Sequence, residues 1–168
     1  MPSLAFIAEA VAILFGEHSE VMSKPTEDLH PAYFETHFHH TESWSDMPDE
    51  FAIITAFATT GDQWSDAENA AADDALRQNL EQRDVWLRRL TGYSPTSGHE
   101  EPGWAITINP ATACEIGRQF RQHAIYFVKD GSLYVTLCHD VVLVPVGLFM
   151  SRLHRSKIMS TPGTEPSI

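Results

Sequence analysis

Residues 51–57 read FAIITAF, and this nearly unbroken apolar run decides how the chain folds. Its length and its β-branched residues are typical of a strand that is buried on both faces, at the centre of a sheet. After a short loop containing Gly61, a helix is predicted to begin at Ser65, because Glu68 follows at the spacing of a capping box. Asn69 lies on the apolar stripe of that helix, so its amide should either anchor the preceding loop or contact a ligand.

Local patterns predict further strands and a second helix. Alternating apolar and polar residues predict a half-buried strand over residues 32–40. Asn109 followed by Pro110 predicts the start of a helix that runs to about Arg121. Residues 130–131 read Asp-Gly, which is typical of a hairpin turn. The other predicted strands are Val85–Leu90, Trp104–Ile108, Ala124–Val128 and Leu133–Cys138.

The order of these elements predicts a single α/β domain of the α+β kind. We expect a mixed sheet of about five to six strands, built around a split β-α-β-β-α-β unit with a C-terminal hairpin. The helices should lie largely on one face, and extra helical segments should lie at both ends. The domain is predicted to span residues 1–155, and residues 156–168 are predicted to form a flexible tail because they contain two prolines and a glycine.

Two apolar segments lie near the ends of the chain, Leu4–Phe15 and Val141–Leu153. Both are too short to cross a bilayer. Pro145 and Gly147 interrupt the second segment, which either opens as a strand and then turns helical or wraps as an irregular arm. The first has no basic residues before it and contains Glu9, so it does not have the pattern of a signal peptide. Two cysteines cannot build a disulfide framework, and we predict a cytoplasmic protein. We expect the two apolar segments to pack on each other or to form a homodimer.

The 168 residues carry a formal net charge of −12, which is unevenly distributed. Residues 1–85 contain seventeen acidic and three basic side chains, whereas residues 86–168 contain six and eight. Nucleic acid binding needs a basic surface, and an anionic membrane would repel the acidic half, so we expect neither as a direct partner. The acidic half is then either a solvated surface or a decoy that imitates nucleic acid for a protein partner.

Several short motifs occur in the order and spacing of one family. They are FAIITAF at 51–57, Ser65 with Glu68-Asn69, EPGWAI at 101–106, FRQHAI at 120–125, and the pair Tyr33 and Thr36. Together they resemble the bacterial family called domain of unknown function 3293, over roughly residues 32–137. Residues 58–59 depart from it, since they read Ala-Thr where Asn-Pro is common in the family. The resemblance implies a fold and a set of recurring positions, and it implies no known reaction.

Four polar residues from separate motifs are predicted to meet at one end of the sheet: Thr55, Asn69, Glu101 and Gln122. This holds if residues 91–103 form a wide hairpin; if the following strand instead runs parallel to 51–57, Glu101 and Gln122 lie at the opposite end from Asn69. We predict a binding or interaction protein that holds a small polar ligand at these residues. The alternatives are an enzyme on a small molecule or nucleotide, with Glu101 as acid or base, and the acidic decoy.

The start of the first helix could bind an ion. A phosphate there would meet the negative charges of Asp62, Asp66 and Glu68, which disfavours it. Those carboxylates with Glu101 could hold a hard divalent cation, but helix capping and solvation explain them as well.

Histidines and cysteines offer the remaining chemistry. His37 and His39 share a predicted strand face with Glu35 and suit zinc or nickel, but the spacing identifies no third ligand. Cys114 and Cys138 are interpreted as small buried hydrophobic residues. We therefore assign no metal, no cofactor and no catalytic residue.

Overall fold

The structure is a computed structural model that describes residues 28–58 and 63–156. Within these residues, eight strands form one sheet and two α-helices pack against it. The strands are β1 (His37–His40), β2 (Glu50–Thr55), β3 (Leu87–Tyr93), β4 (Glu100–Ile106), β5 (Ala124–Lys129), β6 (Ser132–Leu137), β7 (Asp140–Leu148) and β8 (Leu153–Arg155). The helices are α1 (Asp66–Glu81) and α2 (Pro110–Gln119).

The sheet order is β7-β6-β5-β2-β4-β3-β1-β8. Neighbouring strands are antiparallel except for β1 and β8, which are parallel, so the sheet is mixed. Helix α1 links β2 to β3 across β4, and α2 links β4 to β5 across β2, which is the split arrangement. The mixed α+β class is therefore confirmed, but the prediction of five to six strands was too low.

The two hairpins expected near the centre of the chain are present. Strands β3 and β4 pair antiparallel from Leu87 with Ile106 to Tyr93 with Glu100, so residues 91–103 include a hairpin. Strands β5 and β6 are joined at Asp130 and Gly131, whose φ angles are 48° and 79°. Positive φ at both central residues is the geometry of a type I′ turn, for which Asp-Gly is a favoured sequence.

The strand predicted over residues 32–40 is wrong in its first half. Pro31–Phe34 forms a short 3-10 helix instead, and the strand is only His37–His40. The side chain of His30 accepts a hydrogen bond from the amide of Ala32, and Pro31 already has the φ of a helical first residue. A local cap therefore overrides the alternating pattern.

The helical segment predicted near the C-terminal end is also wrong. Residues from Val141 onward extend β7, which pairs with β6 through two register shifts, and a turn then leads into β8 beside β1. Pro145 lies in β7 at the edge of the sheet, which is where strands accommodate proline. The apolar segment at residues 4–15 and the tail at residues 157–168 lie outside the described residues.

Alternate residues of β2 pack into two separate hydrophobic cores, one on each face of the sheet. Ala52 and Ile54 face the helices, and Phe51 and Ile53 face the opposite side. We call these sides the helix face and the aromatic face. The helix face is completed by buried residues of α1 and α2, which are Leu76, Leu80, Ala113, Cys114 and Ile116. The aromatic face is completed by Phe38, Leu90, Ala105, Val128, Leu133 and Phe149. Burial on both sides explains why FAIITAF has no polar alternation.

The helix starts follow the predicted capping chemistry. The Ser65 hydroxyl accepts a hydrogen bond from the Glu68 amide at 3.2 Å, and the Glu68 carboxylate accepts one from the Ser65 amide at 2.7 Å. The side chain of Asn109 accepts a hydrogen bond from the Thr112 amide at 2.8 Å. Neither α1 nor α2 has the length and apolar character needed to cross a bilayer.

Candidate functional site

The end of β2 is a meeting point for polar side chains. Gln122 is buried, and its amide oxygen accepts a hydrogen bond from the Thr55 hydroxyl at 2.9 Å. Its amide nitrogen donates to the carbonyl oxygens of Phe57 at 3.0 Å and Phe120 at 3.1 Å. One buried amide therefore ties the end of β2 to the end of α2, with both of its polar atoms satisfied.

The termination of α2 explains how Gln122 reaches β2. The Gln122 amide donates to Gly117 O at 2.7 Å, and the Arg121 amide donates to Arg118 O at 3.1 Å. This pair of bonds is a Schellman motif, and Arg121 has the left-handed φ of 57° that the motif requires. The reversal ends the helix and directs the Gln122 side chain back toward the sheet.

Asn69 fixes the residues that follow β2. Its side-chain oxygen accepts a hydrogen bond from the amide of Ala58 at 3.0 Å. Of the two roles predicted for Asn69, anchoring the preceding loop is thus observed, and it leads directly into residues 59–62, which lie outside the described residues.

Gly103 allows β4 to approach β2 closely beside Thr55. A Cβ atom on Gly103 would lie 2.8 Å from the Thr55 methyl and 2.9 Å from the Ile54 carbonyl oxygen. Because Gly103 and Thr55 are register partners, a side chain here would push apart the two central strands. The glycine of the EPGWAI motif is therefore explained by packing.

Glu101 is half-buried, like Thr55 and Asn69, but within the described residues its hydrogen bond goes to His99 and not to residues 55–58. Its Oε1 lies 2.9 Å from His99 Nε2, and the side chains of Glu101 and His99 are 37% and 57% exposed. The His99 ring packs edge-on against Phe57, with centroids 5.6 Å apart. Through His99, Glu101 thus reaches the same segment, residues 55–58, that Gln122 and Asn69 hold.

The pair formed by Glu101 and His99 has a defined electrostatic character. The hydrogen bond and the negative charge of Glu101 raise the pKa of His99 above its ordinary value.

Burial, and then the charge of Glu101, raise the pKa of Tyr33 to about 12. Tyr33 is in turn fixed by Tyr126, whose hydroxyl donates to the Tyr33 carbonyl at 2.7 Å. Tyr33 thus remains a neutral phenol across the physiological pH range.

The four predicted residues therefore lie around residues 55–58, in two kinds of environment. Thr55, Asn69 and Gln122 bond to the protein itself, and Glu101 keeps a solvent-facing carboxylate. Sequence reasoning missed His99, because nothing in SGHEEPG marks one histidine as the partner of the second glutamate. The alternation of the strand gives a weak signal, since residues two apart on a strand share a face.

The predicted metal and thiol groups take different places. His39 contacts Glu100 and Ser156, and His37 contacts His154, a partner that sequence spacing did not identify. Within the described residues, no group of three or more His, Cys, Asp or Glu side chains could hold a metal ion.

Both cysteines are buried in the helix-face core, as small hydrophobic residues would be. The hydrogen bond with Cys114, and then burial, raise the pKa of the Cys138 thiol above its ordinary value. His139, the next residue, is exposed. The thiol and the neighbouring imidazole therefore lie in different environments.

The comparison with family models identifies the central part of the chain. Residues 54–125 match the family described as Protein of unknown function (DUF3293). This match supports the family that the motifs predicted, over residues 54–125. The matched stretch runs from the end of β2 to the start of β5 and contains all four candidate residues; it is shorter than the predicted 32–137 and leaves out Tyr33 and Thr36. The searches of curated proteins and of solved structures found no match.

Proposed function

We propose that this chain is a binding protein that holds a small polar ligand at the end of β2, through the carboxylate of Glu101. The observation that carries the proposal is the hydrogen bonding of this carboxylate. One oxygen is held by His99 at 2.9 Å, and within the described residues no hydrogen bond engages the other oxygen. A half-exposed, oriented carboxylate favours a ligand that donates charge-assisted hydrogen bonds, such as an amine or a guanidine.

The other three residues have a supporting part in this proposal. Thr55, Asn69 and Gln122 hold the backbone of residues 55–58, against which the His99 ring packs. Such side chains set the shape of a binding site without touching the ligand, in the way that supporting hydrogen bonds orient functional groups elsewhere.

A thermal-shift screen of the full chain tests the proposal. The probes are alkylamines, guanidines, amides, carboxylates and nucleotides, sorted by charge. We expect amines or guanidines to raise the melting temperature, and Glu101→Gln to abolish the shift, because the neutral amide removes the charge that attracts them. A shift that persists in Glu101→Gln, or hits confined to anions, would contradict the proposal.

Glu100→Gln is the matched control. Glu100 is the preceding residue of β4, it also contacts one histidine (Oε1 lies 3.3 Å from His39 Nε2), and it points to the opposite face. The control variant loses the same charge from the same strand, so it should retain the shift.

An enzyme is the second candidate, and the same pair of side chains favours it. A carboxylate that orients an imidazole and raises its pKa is a common arrangement for general acid–base catalysis. The two candidates separate when each stabilising compound is incubated with the protein and followed by NMR. Consumption of the compound by the native chain, with binding but no consumption in His99→Gln, supports the enzyme.

The homodimer through apolar terminal segments also remains a proposal. Within the described part of the chain, β7 is an edge strand that exposes Val141, Val142 and Leu148, and Met150 is exposed just after it. Light scattering of the full chain after size exclusion measures the mass directly, and a monomer at all concentrations would reject the dimer.

A further inference from the structure

Two histidines meet at the β8 edge of the sheet, on the helix face. His37 lies in β1, and His154 lies in β8, which pairs in parallel with β1 and is the last strand in the sheet order. His37 Nδ1 lies 2.9 Å from His154 Nε2, and the planes of the two rings differ by 10°. We call His37 and His154 the histidine pair.

The positions of the two rings are those of a hydrogen bond between imidazoles. Their centroids are 5.2 Å apart, which is about the nitrogen–nitrogen distance plus the distance from each nitrogen to the centre of its own ring. The two nitrogens therefore point at each other along the line that joins the rings. This arrangement needs one hydrogen atom between the nitrogens, donated by one ring and accepted by the other.

The number of protons on the histidine pair decides whether this bond can form. Two neutral rings form it, since one facing nitrogen donates and the other accepts. One protonated and one neutral ring also form it, and the charge strengthens the bond. Two protonated rings cannot form it, because both facing nitrogens then carry a hydrogen atom and both rings are positive.

We propose that the histidine pair is an acid-sensitive latch, which holds β8 on β1 while either ring is neutral and releases β8 when both rings are protonated. Strand β8 has three residues, and in the described part of the chain β1 is its only neighbour in the sheet. Release of β8 leaves the outer backbone groups of β1 at an open sheet edge.

A fixed positive charge near the pair disfavours the second proton. Arg152 lies just before β8, and its hydrogen bonds to the carbonyl oxygens of Phe34 and Thr36 hold its guanidinium in place. Partial burial, then the charge of Arg152 and then that of His154 lower the pKa of His37. The folded chain thus resists this proton more than the unfolded chain does. The stabilising contribution of the His37 ring is therefore complete above about pH 6.5 and is lost as the pH falls through the lowered pKa.

Other groups around the histidine pair do not compensate for a second proton. The ring of Tyr93 in β3 packs against both histidines, with centroids 5.9 Å and 6.3 Å away, and carries no carboxylate. In the described residues, the ion pairs of histidines with carboxylates involve His39 and His99 and not the histidine pair. Glu35 before β1 and Arg155 in β8 are exposed, so solvent screens their charges.

Two contacts of His39 oppose release and give it a direction. His39 Nε2 lies 3.3 Å from Glu100 Oε1, and His39 Nδ1 lies 2.8 Å from Ser156 Oγ. Both contacts persist when His39 is protonated, because a carboxylate and a hydroxyl oxygen each accept a hydrogen bond from the ring. Ser156 follows β8, so release should begin at the other end, beside Arg152. The latch does not depend on the ligand proposed for Glu101, which lies on the opposite face of β4.

Amide hydrogen exchange of the full chain tests the proposal, followed for each residue by NMR from about pH 7.5 to about pH 5, the range in which histidine titrates. The Phe38 amide donates to Arg152 O at 2.8 Å, and the Ser156 amide donates to His40 O at 2.9 Å. After correction for intrinsic exchange rates, we expect the protection of the Phe38 amide to fall by about tenfold in acid, the change that one pKa unit represents. The Ser156 amide should lose less, and the amides of β2 should keep their protection.

Two variants each remove one titrating ring and keep a hydrogen-bonding group in its place. In His154→Gln the side-chain amide nitrogen replaces Nε2, and in His37→Asn it replaces Nδ1, and neither amide takes up a proton. Because the remaining ring can add only one proton, the protection of the Phe38 amide should stay constant with pH in both variants.

A second pair of histidines provides the control. His123 and His139 have ring centroids 6.1 Å apart, and the double variant His123→Gln/His139→Gln should show the same fall in acid as the native chain. Constant protection at Phe38 in the native chain, or an equal fall at Phe38 and throughout β2, would overturn the proposal. A fall that persists in both His37→Asn and His154→Gln would also overturn it. The measurements on the native chain apply even if a variant fails to fold.

Discussion

Gln122 and Glu101 lie at the same end of the sheet, and they meet the solvent in opposite ways. Gln122 is 7% exposed, and both polar atoms of its amide bond within the protein. Glu101 is 37% exposed on its side chain and, among the residues that the structure describes, has one hydrogen-bond partner, His99. A buried polar group must be satisfied by the fold, whereas an exposed carboxylate can exchange water for a ligand at little cost. The comparison therefore separates a residue that supports the fold from one that can serve binding.

The largest expected effect comes from Gln122→Ala. The truncation leaves the Thr55 hydroxyl and the carbonyl oxygens of Phe57 and Phe120 without this partner, so the free energy of unfolding should fall by about 3 kcal/mol. Urea unfolding measures the change. Gln119→Ala removes an exposed amide from the last residue of α2 and should cost under about 0.5 kcal/mol. If both variants lost the same free energy of unfolding, the buried hydrogen bonds of Gln122 would not stabilise the fold.

Gly103→Ala should come next, at about 2 kcal/mol, because its Cβ would overlap the Thr55 methyl and the Ile54 carbonyl. Gly92→Ala on the neighbouring strand is the control, since its Cβ would meet nothing closer than 3.5 Å. Adding Thr55→Ser to Gly103→Ala removes the methyl and keeps the hydroxyl, so part of the loss should return in thermal unfolding. A larger cost for Gly92→Ala than for Gly103→Ala would show that close approach at Thr55 is not the constraint.

Asn69→Ala should cost about 1 kcal/mol, the usual value of one hydrogen bond. The affected bond is local, so hydrogen exchange of the Ala58 amide should accelerate in this variant. Asn69→Asp keeps an acceptor oxygen and should restore slow exchange. Exchange at Ala58 that is the same in all three proteins would mean that Asn69 does not anchor the loop.

The smallest effect on stability belongs to Glu101→Gln. Because the hydrogen bond and charge of Glu101 raise the pKa of His99, this variant should lower that pKa toward 6.5, as measured by NMR titration. The Glu100→Gln control should leave it unchanged.

The sign of the pH dependence follows from the raised pKa of His99. The contribution of the pair to stability is complete below about pH 6.5 and is lost as the pH rises through the raised value. The contribution should stay under about 1 kcal/mol, since both side chains are more than a third exposed and solvent screens the pair. A Glu101→Gln variant whose stability differs from the native chain more at high pH than at low pH would contradict this assignment.

Local chemistry was predictable where a few neighbouring residues control the backbone. The capping box at Ser65 and the turn at Asp130 were both identified correctly, because each depends on contacts within three or four residues. The alternating pattern of residues 32–40 failed because a proline and a histidine cap impose a 3-10 helix. For residues 141–153 the local pattern left a strand that turns helical and an irregular arm both open, because only pairing with β6 establishes the strand β7.

In the candidate site, too, some features follow from local sequence and others depend on long-range contacts. The hairpin between β3 and β4, on which the predicted meeting of Thr55, Asn69, Glu101 and Gln122 depended, is present. Among these four residues the structure shows one direct bond, between Thr55 and Gln122. The sequence could not predict that the polar atoms of Gln122 form hydrogen bonds inside the fold. Those bonds depend on burial and on partners 65 to 67 residues away along the chain.

The chain's own pattern of apolar runs, caps and turns thus specified a sheet with helices on one side and a cluster of polar residues at one end. Only the folded chain decided that Gln122 is sealed inside, that Glu101 remains open to solvent, and that His37 meets His154 across 117 positions. The physical reason is that hydrogen bonding and burial are properties of a side chain's neighbours in space, and long-range strand pairing selects those neighbours.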